Sequence, residues 1–280
     1  MKPAMFEMYR PRDLAEALEL LGRHSDDARL IAGGQSLVPM MNLRMATPAV
    51  LVDLNSVDGL SGIRRDGDLI RIGAMTRQQS VLDSELIRRH VPLLAEAVRY
   101  IGHFSTRSRG TVGGSLANAD PSSELALVAI TLGANLTIHG AKQSRNVAAQ
   151  DFFIDALKTA LEPAEILTEL VVSVASERST VAFREHARRD GDFATASAAA
   201  QLSPEEGTLL AGLGAVSSVP VVCRRIQDAF RTGNLLRELD DVIAAEIDAV
   251  DAISDVHTSV AYRRKLAAVC LVDCIRMLIA

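Results

Sequence analysis

Two short glycine-containing segments are the part of the sequence best suited to chemistry. The first glycine segment is residues 30–37 (LIAGGQSL) and the second glycine segment is residues 110–117 (GTVGGSLA). In both, β-forming residues lead into Gly-Gly, and a small polar residue and a leucine follow. Because glycine adopts positive φ and has no Cβ, consecutive N–H groups can turn toward one anion at close range. The pair predicts a site that grips a pyrophosphate from both sides through main-chain dipoles.

Hydroxyl side chains accompany both segments, since Ser36, Thr111 and Ser115 can add hydrogen-bond donors. The chain has only four lysines, which fits neutralisation of an anion by dipoles. Either segment alone is better explained as a tight turn after a strand, so the prediction depends on their pairing. Neither has the spacing of a Rossmann fingerprint or a P-loop. Residues 210–217 come nearest to the former and are interpreted as a strand and turn.

Metal and nucleophile chemistry find little support in the sequence. The three cysteines are too few for an ordinary iron–sulfur cluster, and the six histidines are scattered. Cys270 and Cys274 lie one helical turn apart and are better explained as buried small residues. We therefore expect no catalytic residue and no metal site in this chain, and any redox metal to lie elsewhere.

The segments need strands and helices to position them. Spacing of apolar residues predicts a capped helix at 13–22, strands at 28–32, 49–54 and 68–73, a helix at 84–100 restarted at Pro92, a helix from about 122, and strands at 134–138 and 166–174. A polar joint at 175–179 precedes strands at 180–187, 195–202 and 208–213 and a last helix at 260–277. Strands followed by helices favour an α+β fold.

Composition narrows the class of protein further. With 280 residues, 48% of them hydrophobic, and a net charge of −5, the chain is an ordinary globular sequence and an unpromising partner for nucleic acid or an anionic membrane. No secretory signal is recognisable at the N-terminus, and the most apolar window, 125–138, is too short for a membrane span. The odd number of cysteines favours a reducing, cytoplasmic location.

Together these motifs resemble a known family. Residues 32–37 (AGGQSL) and 111–115 (TVGGS), followed by 118–121 (NADP) and Glu124, are similar to the FAD-binding medium subunit of molybdenum hydroxylases, the xanthine dehydrogenase and carbon monoxide dehydrogenase group. Residues 6–11 (FEMYRP), 188–194 (RRDGDFA) and 261–264 (AYRR) fit in the same order. The resemblance covers nearly the whole chain.

The resemblance implies a two-lobed FAD-binding domain of the vanillyl-alcohol-oxidase (PCMH) type, followed by a small α+β C-terminal domain. On this basis we expect the FAD-binding domain at 1–176, with lobes at about 1–55 and 56–176, and the C-terminal domain at 177–280.

The same resemblance implies which residues hold the cofactor. The pyrophosphate and ribityl contacts would come from Ile31, Ala32, Gly33, Gly34, Gln35, Ser36, Leu37, Thr111, Val112, Gly113, Gly114, Ser115, Asn118 and Asp120. Glu124 falls where the family usually has Asp, an acceptor for cofactor hydroxyls. Ile101 and Leu167 match apolar positions beside the flavin, and Arg184 matches a position that is often basic. Asp192 and Phe193 match the segment that approaches the isoalloxazine face.

Several of these residues have structural explanations as well. Asp120 and Glu124 are also typical of a helix start. Asp192 and Phe193 follow Gly191 and would suit a turn and a strand anchor.

The function implied by the resemblance is electron transfer. The chain would be the flavoprotein of a complex whose large subunit carries the molybdenum cofactor and whose small subunit carries [2Fe-2S] clusters, assembled as a dimer of heterotrimers. Electrons would pass from the clusters through FAD to an external acceptor. Two alternatives remain at this stage: a free-standing NADPH-dependent reductase of the same fold, of the UDP-sugar enolpyruvyl reductase type, and a non-catalytic interaction subunit that has lost the cofactor.

Overall fold

The N-terminal part of the chain forms a three-stranded parallel sheet. In the computed structural model, which describes residues 1–279, its strand order is β1-β3-β2. The elements are β1 (Glu7–Tyr9), α1 (Leu14–His24), β2 (Ala28–Ile31), α2 (Leu37–Asn42) and β3 (Val50–Asp53). Helix α1 begins where expected because Asp13 accepts a hydrogen bond from the N–H of Glu16, at 2.8 Å.

The middle of the chain forms a five-stranded antiparallel sheet covered by helices, with strand order β4-β5-β10-β6-β7. Its elements are β4 (Ile63–Asp66), β5 (Leu69–Gly73), α3 (Gln78–Asp83), α4 (Glu85–His90), α5 (Pro92–Val98), α6 (Phe104–Arg107), α7 (Val112–Asn118), α8 (Glu124–Thr131), β6 (Asn135–Gly140), β7 (Ser144–Ala148), α9 (Ala149–Phe152), β8 (Phe153–Asp155), β9 (Lys158–Thr159) and β10 (Glu165–Ser173). Helix α5 restarts at Pro92, as predicted, because proline suits the first helical turn.

The C-terminal part is a four-stranded antiparallel sheet followed by helices, with strand order β11-β12-β13-β14. The elements are β11 (Thr180–Ala187), β12 (Ala194–Ser203), β13 (Thr208–Gly214), β14 (Val221–Val222), α10 (Arg224–Arg231), α11 (Leu239–Asp248) and α12 (Val260–Ile279). Side chains alternate between the two faces of this sheet. Phe183 and Ala199 join the core of the middle part, whereas Ala182 and Ala198 join a separate core under α12.

Five helices of the first 176 residues were not predicted, namely α2, α3, α6, α7 and α9. Helix α7 is the important one because it begins inside the second glycine segment, at Val112. None of the helices within residues 1–279 is long and apolar enough to cross a lipid bilayer.

Candidate functional site

The fold brings the two glycine segments into contact. A Cβ placed on Gly33 would lie 2.3 Å from the carbonyl oxygen of Arg109, and one on Gly114 would lie 3.4 Å from the Cβ of Ala32. The first distance is far below any real Cβ contact, so only glycine allows the backbones to approach this closely.

Hydrogen bonds from two polar side chains hold the segments in this position. Arg77 donates one hydrogen bond to the carbonyl of Arg109 and another to Oδ1 of Asn55, at 2.7 Å. Asn55 in turn donates to the carbonyl of Ala32, at 2.9 Å. Burial and the neighbouring Arg109 lower the pKa of Arg77, because both disfavour its positive charge.

The first glycine segment supplies unpaired main-chain donors. The N–H groups from Gly33 through Leu37 have no hydrogen-bond partner within residues 1–279. Gly34 has φ of 70°, the left-handed conformation that glycine adopts at little cost. Gln35 folds back and donates its side-chain Nε2 to the carbonyl of Gly33, at 3.1 Å. This run of free donors suits an anion with several oxygen atoms.

The second glycine segment behaves differently from the sequence-based expectation. Its N–H groups from Val112 through Ser115 are all occupied, by the carbonyls of Thr76, Ala74 and Thr111 and by Oγ1 of Thr111. The idea of amides gripping an anion from both sides is therefore wrong for this segment. The amides of Gly114 and Ser115 close the first turn of α7, and those of Val112 and Gly113 bond to the chain before α3, so this stretch offers hydroxyl groups instead. One of these is Ser115 Oγ, 2.9 Å from Ser123 Oγ.

A cavity of about 410 Å³ runs along both segments. This volume lies in the range of about 300–1,000 Å³ that is typical of small-molecule and cofactor sites. Most of the predicted binding residues line it, namely Ala32, Gly33, Gly34, Gln35, Ser36, Leu37, Ile101, Thr111, Gly113, Gly114, Ser115, Asn118, Asp120, Glu124, Leu167 and Phe193. Part of the wall is apolar through Ile101 and Leu167, and Phe193, another lining residue, is 77% exposed.

Four predicted residues do not line the cavity. Val112 is fully buried in the core of the middle part, and Ile31 ends β2. Asp192 is exposed on the turn before β12. Arg184 points to the α12 face of its sheet, where its Nη2 lies 2.6 Å from Sδ of Met277. The strand alternation explains this orientation, because Phe183 faces the middle part and its neighbour Arg184 must face the other way.

The other residues of the cavity wall were not among the predicted binding residues. They are Arg29, Leu30, Leu54, Ala74, Met75, Gln78, Thr106, Gly110, Ala117, Ser123, Leu161 and Ile166. Leu30, Gly110 and Ala117 lie inside the two glycine segments and Arg29 adjoins the first, so proximity alone would have suggested them. Met75, Gln78 and Leu161 reach the cavity only through the tertiary fold.

Two carboxyl groups near the cavity, those of Glu124 and Glu185, have strongly raised pKa values. Burial, and then the nearby charge of Glu185, raise the pKa of Glu124 to about 8. Burial, and then Asp190, raise the pKa of Glu185 to about 7. Both shifts arise because a low-dielectric environment and like charges disfavour the ionised form.

The geometry suits a nucleotide cofactor with a planar ring. The free amides of the first segment can hold phosphate oxygens, and the hydroxyl groups of the second can form hydrogen bonds with a polyol chain. The apolar side chains of Ile101 and Leu167 can pack on a ring. Within residues 1–279 there is no cluster of three or more His, Cys, Asp or Glu side chains that could hold a metal ion. The fold and site thus define a cofactor-binding protein in which the residues present fit FAD.

Comparisons with known proteins agree with this class. Residues 4–173 match the family of FAD binding domains in molybdopterin dehydrogenase, and residues 181–278 match the carbon monoxide dehydrogenase flavoprotein C-terminal domain. The chain therefore belongs to the family of molybdopterin dehydrogenase FAD-binding subunits, as its sequence motifs suggested. It is an oxidoreductase subunit, and its FAD-binding domain makes FAD its cofactor.

Individual relatives match this chain over about three quarters of its length or more. The carbon monoxide dehydrogenase medium chain of Afipia carboxidovorans is 36% identical over 97% of this chain and 96% of its own length. Caffeine dehydrogenase subunit beta of a Pseudomonas species is 40% identical over 74% of this chain and 70% of its own. Among solved structures, reconstituted carbon monoxide dehydrogenase from Oligotropha carboxidovorans superposes with a TM-score of 0.95, at 34% identity and 99% coverage of both chains. The prediction of an α+β chain with an FAD-binding domain of this type and a smaller C-terminal domain is confirmed.

Proposed function

We propose that this chain carries FAD as the electron-transfer subunit of a multisubunit molybdenum hydroxylase. Electrons would reach it from [2Fe-2S] clusters on a small partner subunit and leave for an external acceptor. Substrate oxidation would take place at the molybdenum cofactor of a large partner subunit. Bound FAD would supply the redox chemistry, and the protein would supply position and electrostatics.

The observation that carries this proposal is the asymmetric pair of glycine segments on one cavity. The unpaired N–H groups of Gly33–Leu37 would hold the pyrophosphate oxygens. Thr111, Ser115 and Asn118 would bond the ribityl hydroxyls from the opposite wall. The two segments can perform these roles together because glycine at position 33 lets their backbones touch.

The apolar part of the cavity wall would orient the flavin ring. Ile101 and Leu167 are 8% and 5% exposed, so they form a firm wall that excludes water. Phe193 would cover the ring at the rim, where it can limit access of the acceptor. Arg184 and Asp192 have no place in this arrangement as the structure stands.

The division of the chain follows from the same assignment. We place the FAD-binding domain at 1–176, with lobes at about 1–55 and 56–176, and the C-terminal domain at 177–280. The three hydrophobic cores support this division, although Val57, Leu60, Met75 and Ile166 pack with the first lobe, and Phe183 and Ala199 pack with the second.

The partners are proposed from the relatives, which are named as medium chains or subunits. We expect a large molybdenum-cofactor subunit and a small iron–sulfur subunit, assembled as a dimer of heterotrimers. All three cysteines are free and buried, which supports a reducing compartment such as the cytoplasm. A free-standing reductase is not favoured, because the relatives are named as subunits or medium chains of dehydrogenases and of a hydroxylase.

Purification of the chain alone and with its partners tests the proposal. The isolated chain should bind about one FAD and leave organic substrate unoxidised, whereas the assembled complex should reduce the FAD when substrate is added. Anaerobic absorbance spectra of the flavin band report both results. Substrate-driven reduction of FAD in the isolated chain would contradict the proposal.

A further inference from the structure

Arg263 is a buried cation near the start of α12 that joins three separate segments of the chain. Its Nη1 donates hydrogen bonds to the carbonyl of Thr195, at 2.8 Å, and to the carbonyl of Ala215. Its Nη2 donates to Oδ2 of Asp255. The guanidinium group is planar and presents its donors in fixed directions, so these three acceptors are held in one arrangement.

Ala215 needs a partner because its backbone is strained. This residue directly follows β13 and has φ of 60°, in the left-handed region that is unfavourable for a residue with a Cβ. Such a conformation persists where the surrounding contacts impose it. Here Arg263 holds the carbonyl of Ala215, and the N–H of Ala215 donates to the carbonyl of Pro121, at 2.8 Å.

Pro121 belongs to the turn between α7 and α8, residues 119–123, which forms part of the cavity wall. Asp120 and Ser123 of this turn line the cavity, as does the residue on each side of the turn. The turn closes on itself, because the N–H of Ser123 donates to the carbonyl of Asp120, at 3.0 Å. A displacement of Pro121 therefore moves lining residues on both sides of it.

The α7–α8 turn also contacts the second glycine segment. Oγ of Ser123 accepts the N–H of Ala126, which caps α8, and it lies 2.9 Å from Oγ of Ser115. The place of the Ser115 hydroxyl, which we assign to the ribityl chain, thus depends on the turn. None of the α12 residues that the structure describes lines the cavity, so Arg263 can act on this wall only through other residues.

The other carbonyl that Arg263 holds lies close to a second lining residue. Thr195 is the extra residue of a β-bulge, since β12 has one more residue at this point than its partner β11. It lies two residues after Phe193, which lines the cavity. Arg263 therefore contacts the segment that follows Phe193 as well as the residue that holds the α7–α8 turn.

Arg264, the next residue along α12, makes a contact of a different kind. Its Nη2 donates to the carbonyl of Val250, at 2.8 Å, just after α11. Both residues of this hydrogen bond lie in the C-terminal domain, whereas the contacts of Arg263 lead to the α7–α8 turn. Arg264 is therefore a matched control for Arg263.

We propose that Arg263 is a positioning residue for FAD, which fixes the polar wall of the cavity through Ala215 and Pro121. This inference rests on the proposed function, and it gives the C-terminal domain a part in cofactor binding. Without the guanidinium group, Ala215 would leave the left-handed region, and its N–H would release the carbonyl of Pro121. The α7–α8 turn would then no longer hold its lining residues in place.

Titration of FAD into the apoprotein, followed by quenching of flavin fluorescence, measures the effect. Arg263→Met keeps a long side chain without donors and should lower FAD affinity by roughly tenfold, within the usual range for coupling between separate sites. Arg264→Met should unfold at a lower temperature because it also loses a hydrogen bond. Its FAD affinity should stay within about twofold of the wild type, since its contact is independent of the cavity.

Ala215→Gly separates positioning from a general loss of stability. Glycine adopts positive φ at little cost, so the α7–α8 turn should keep its place even without Arg263. The double variant Arg263→Met, Ala215→Gly should therefore recover most of the FAD affinity. Its unfolding temperature should stay low, because Asp255 remains without its partner. A merely structural role of Arg263 would leave FAD affinity as low in the double variant as in Arg263→Met.

Hydrogen exchange of the apoprotein tests the contacts without FAD. Peptides that contain residues 118–124 should exchange faster in Arg263→Met than in Arg264→Met. Should Arg263→Met not fold, Arg263→Lys keeps the charge beside Asp255 with a different donor geometry, and it should give the same differences at smaller size.

Equal FAD affinity in the Arg263 variants and Arg264→Met would overturn the inference and leave the proposed function intact. A loss of affinity that Ala215→Gly does not reverse, or exchange at 118–124 that is the same in the two arginine variants, would do the same. Absence of FAD binding by the wild type would overturn the proposed function, and with it any role of Arg263 toward FAD.

Discussion

The two glycine segments look alike in sequence and differ in structure. The first is an open turn between β2 and α2, and Gly34 there has positive φ. The second is the first turn of α7, and neither Gly113 nor Gly114 has positive φ. A run of five free N–H groups occurs in the first segment, whereas the N–H groups of Val112 through Ser115 in the second are all occupied by the fold.

The difference shows that the same Gly-Gly pair can serve two different structural purposes in one chain. Gly33 and Gly34 are needed for backbone approach and backbone conformation. Gly113 is needed for side-chain packing, because a Cβ there would lie 2.4 Å from Cβ of Ala74. We infer that the first segment binds the anion and the second fixes the wall opposite to it. Substitutions at the four glycines can separate these roles.

The largest effect is expected for Gly33→Ala. Its Cβ would meet backbone atoms of Arg109 and Gly110 at 2.3 and 2.8 Å, and backbone cannot move aside as a side chain can. We expect the segments to separate and FAD affinity to fall by roughly a hundredfold, about 2.7 kcal/mol. Quenching of flavin fluorescence during titration measures the affinity.

Gly22→Ala is the control for this variant. Gly22 lies in α1 with nothing within 4 Å of a Cβ, so alanine should leave binding unchanged and stabilise the helix by up to about 1 kcal/mol. Equal FAD affinity in Gly33→Ala and Gly22→Ala would show that the close approach of the two segments is unimportant.

Gly113→Ala should have the next largest effect, a loss of folding stability, and a second substitution should partly reverse it. Overpacking of this kind typically costs about 1–3 kcal/mol of folding free energy. The nearest atom is the Cβ of Ala74, so the double variant with Ala74→Gly should recover part of the loss. Urea unfolding of the two single variants and the double variant gives the coupling energy. Strictly additive losses would place the clash elsewhere.

Gly34→Ala isolates the conformational requirement of the first segment. An L-residue in the left-handed region costs roughly 1–2 kcal/mol, and asparagine tolerates that region better than alanine. Gly34→Asn should therefore be more stable than Gly34→Ala, although both introduce a Cβ 3.1 Å from Val38. Thermal unfolding of the two variants makes the comparison. The reverse order would mean that contact with Val38, not φ, limits this position.

The smallest effect concerns the hydroxyl groups before each helix. Thr111 Oγ1 accepts the N–H of Gly114, at 3.1 Å, so Thr111→Val should lose about 1 kcal/mol of stability, while Thr111→Ser should not. Ser36 makes no capping bond to α2, so Ser36→Ala should unfold at the wild-type temperature. A stability loss in Ser36→Ala that matches Thr111→Val would remove the distinction between the segments.

Much of the fold was predictable because local signals agreed with the tertiary structure. The capped start of α1 and the restart of α5 at Pro92 are examples. Helix α7 was missed because consecutive glycines disfavour helices, and here the packing of Gly113 on Ala74 and the cap from Thr111 outweigh that preference.

The site was predictable only where binding residues are clustered in sequence. Motifs identified Glu124 and both glycine segments, and all of these residues except Ile31, Val112 and Leu116 line the cavity. Met75 and Leu161 have no local signal, since distant strands and loops bring them to the wall. The orientation of Arg184 depends on strand register, which a motif match does not specify.

The most direct test is a crystal structure of the purified chain with FAD, together with the FAD content of the wild type and Gly33→Ala. We predict about one FAD per wild-type chain. Its pyrophosphate should lie against the N–H groups of Gly33–Leu37, and Gly33→Ala should purify almost without flavin. A pyrophosphate bound away from that segment, or full FAD content in Gly33→Ala, would contradict the account.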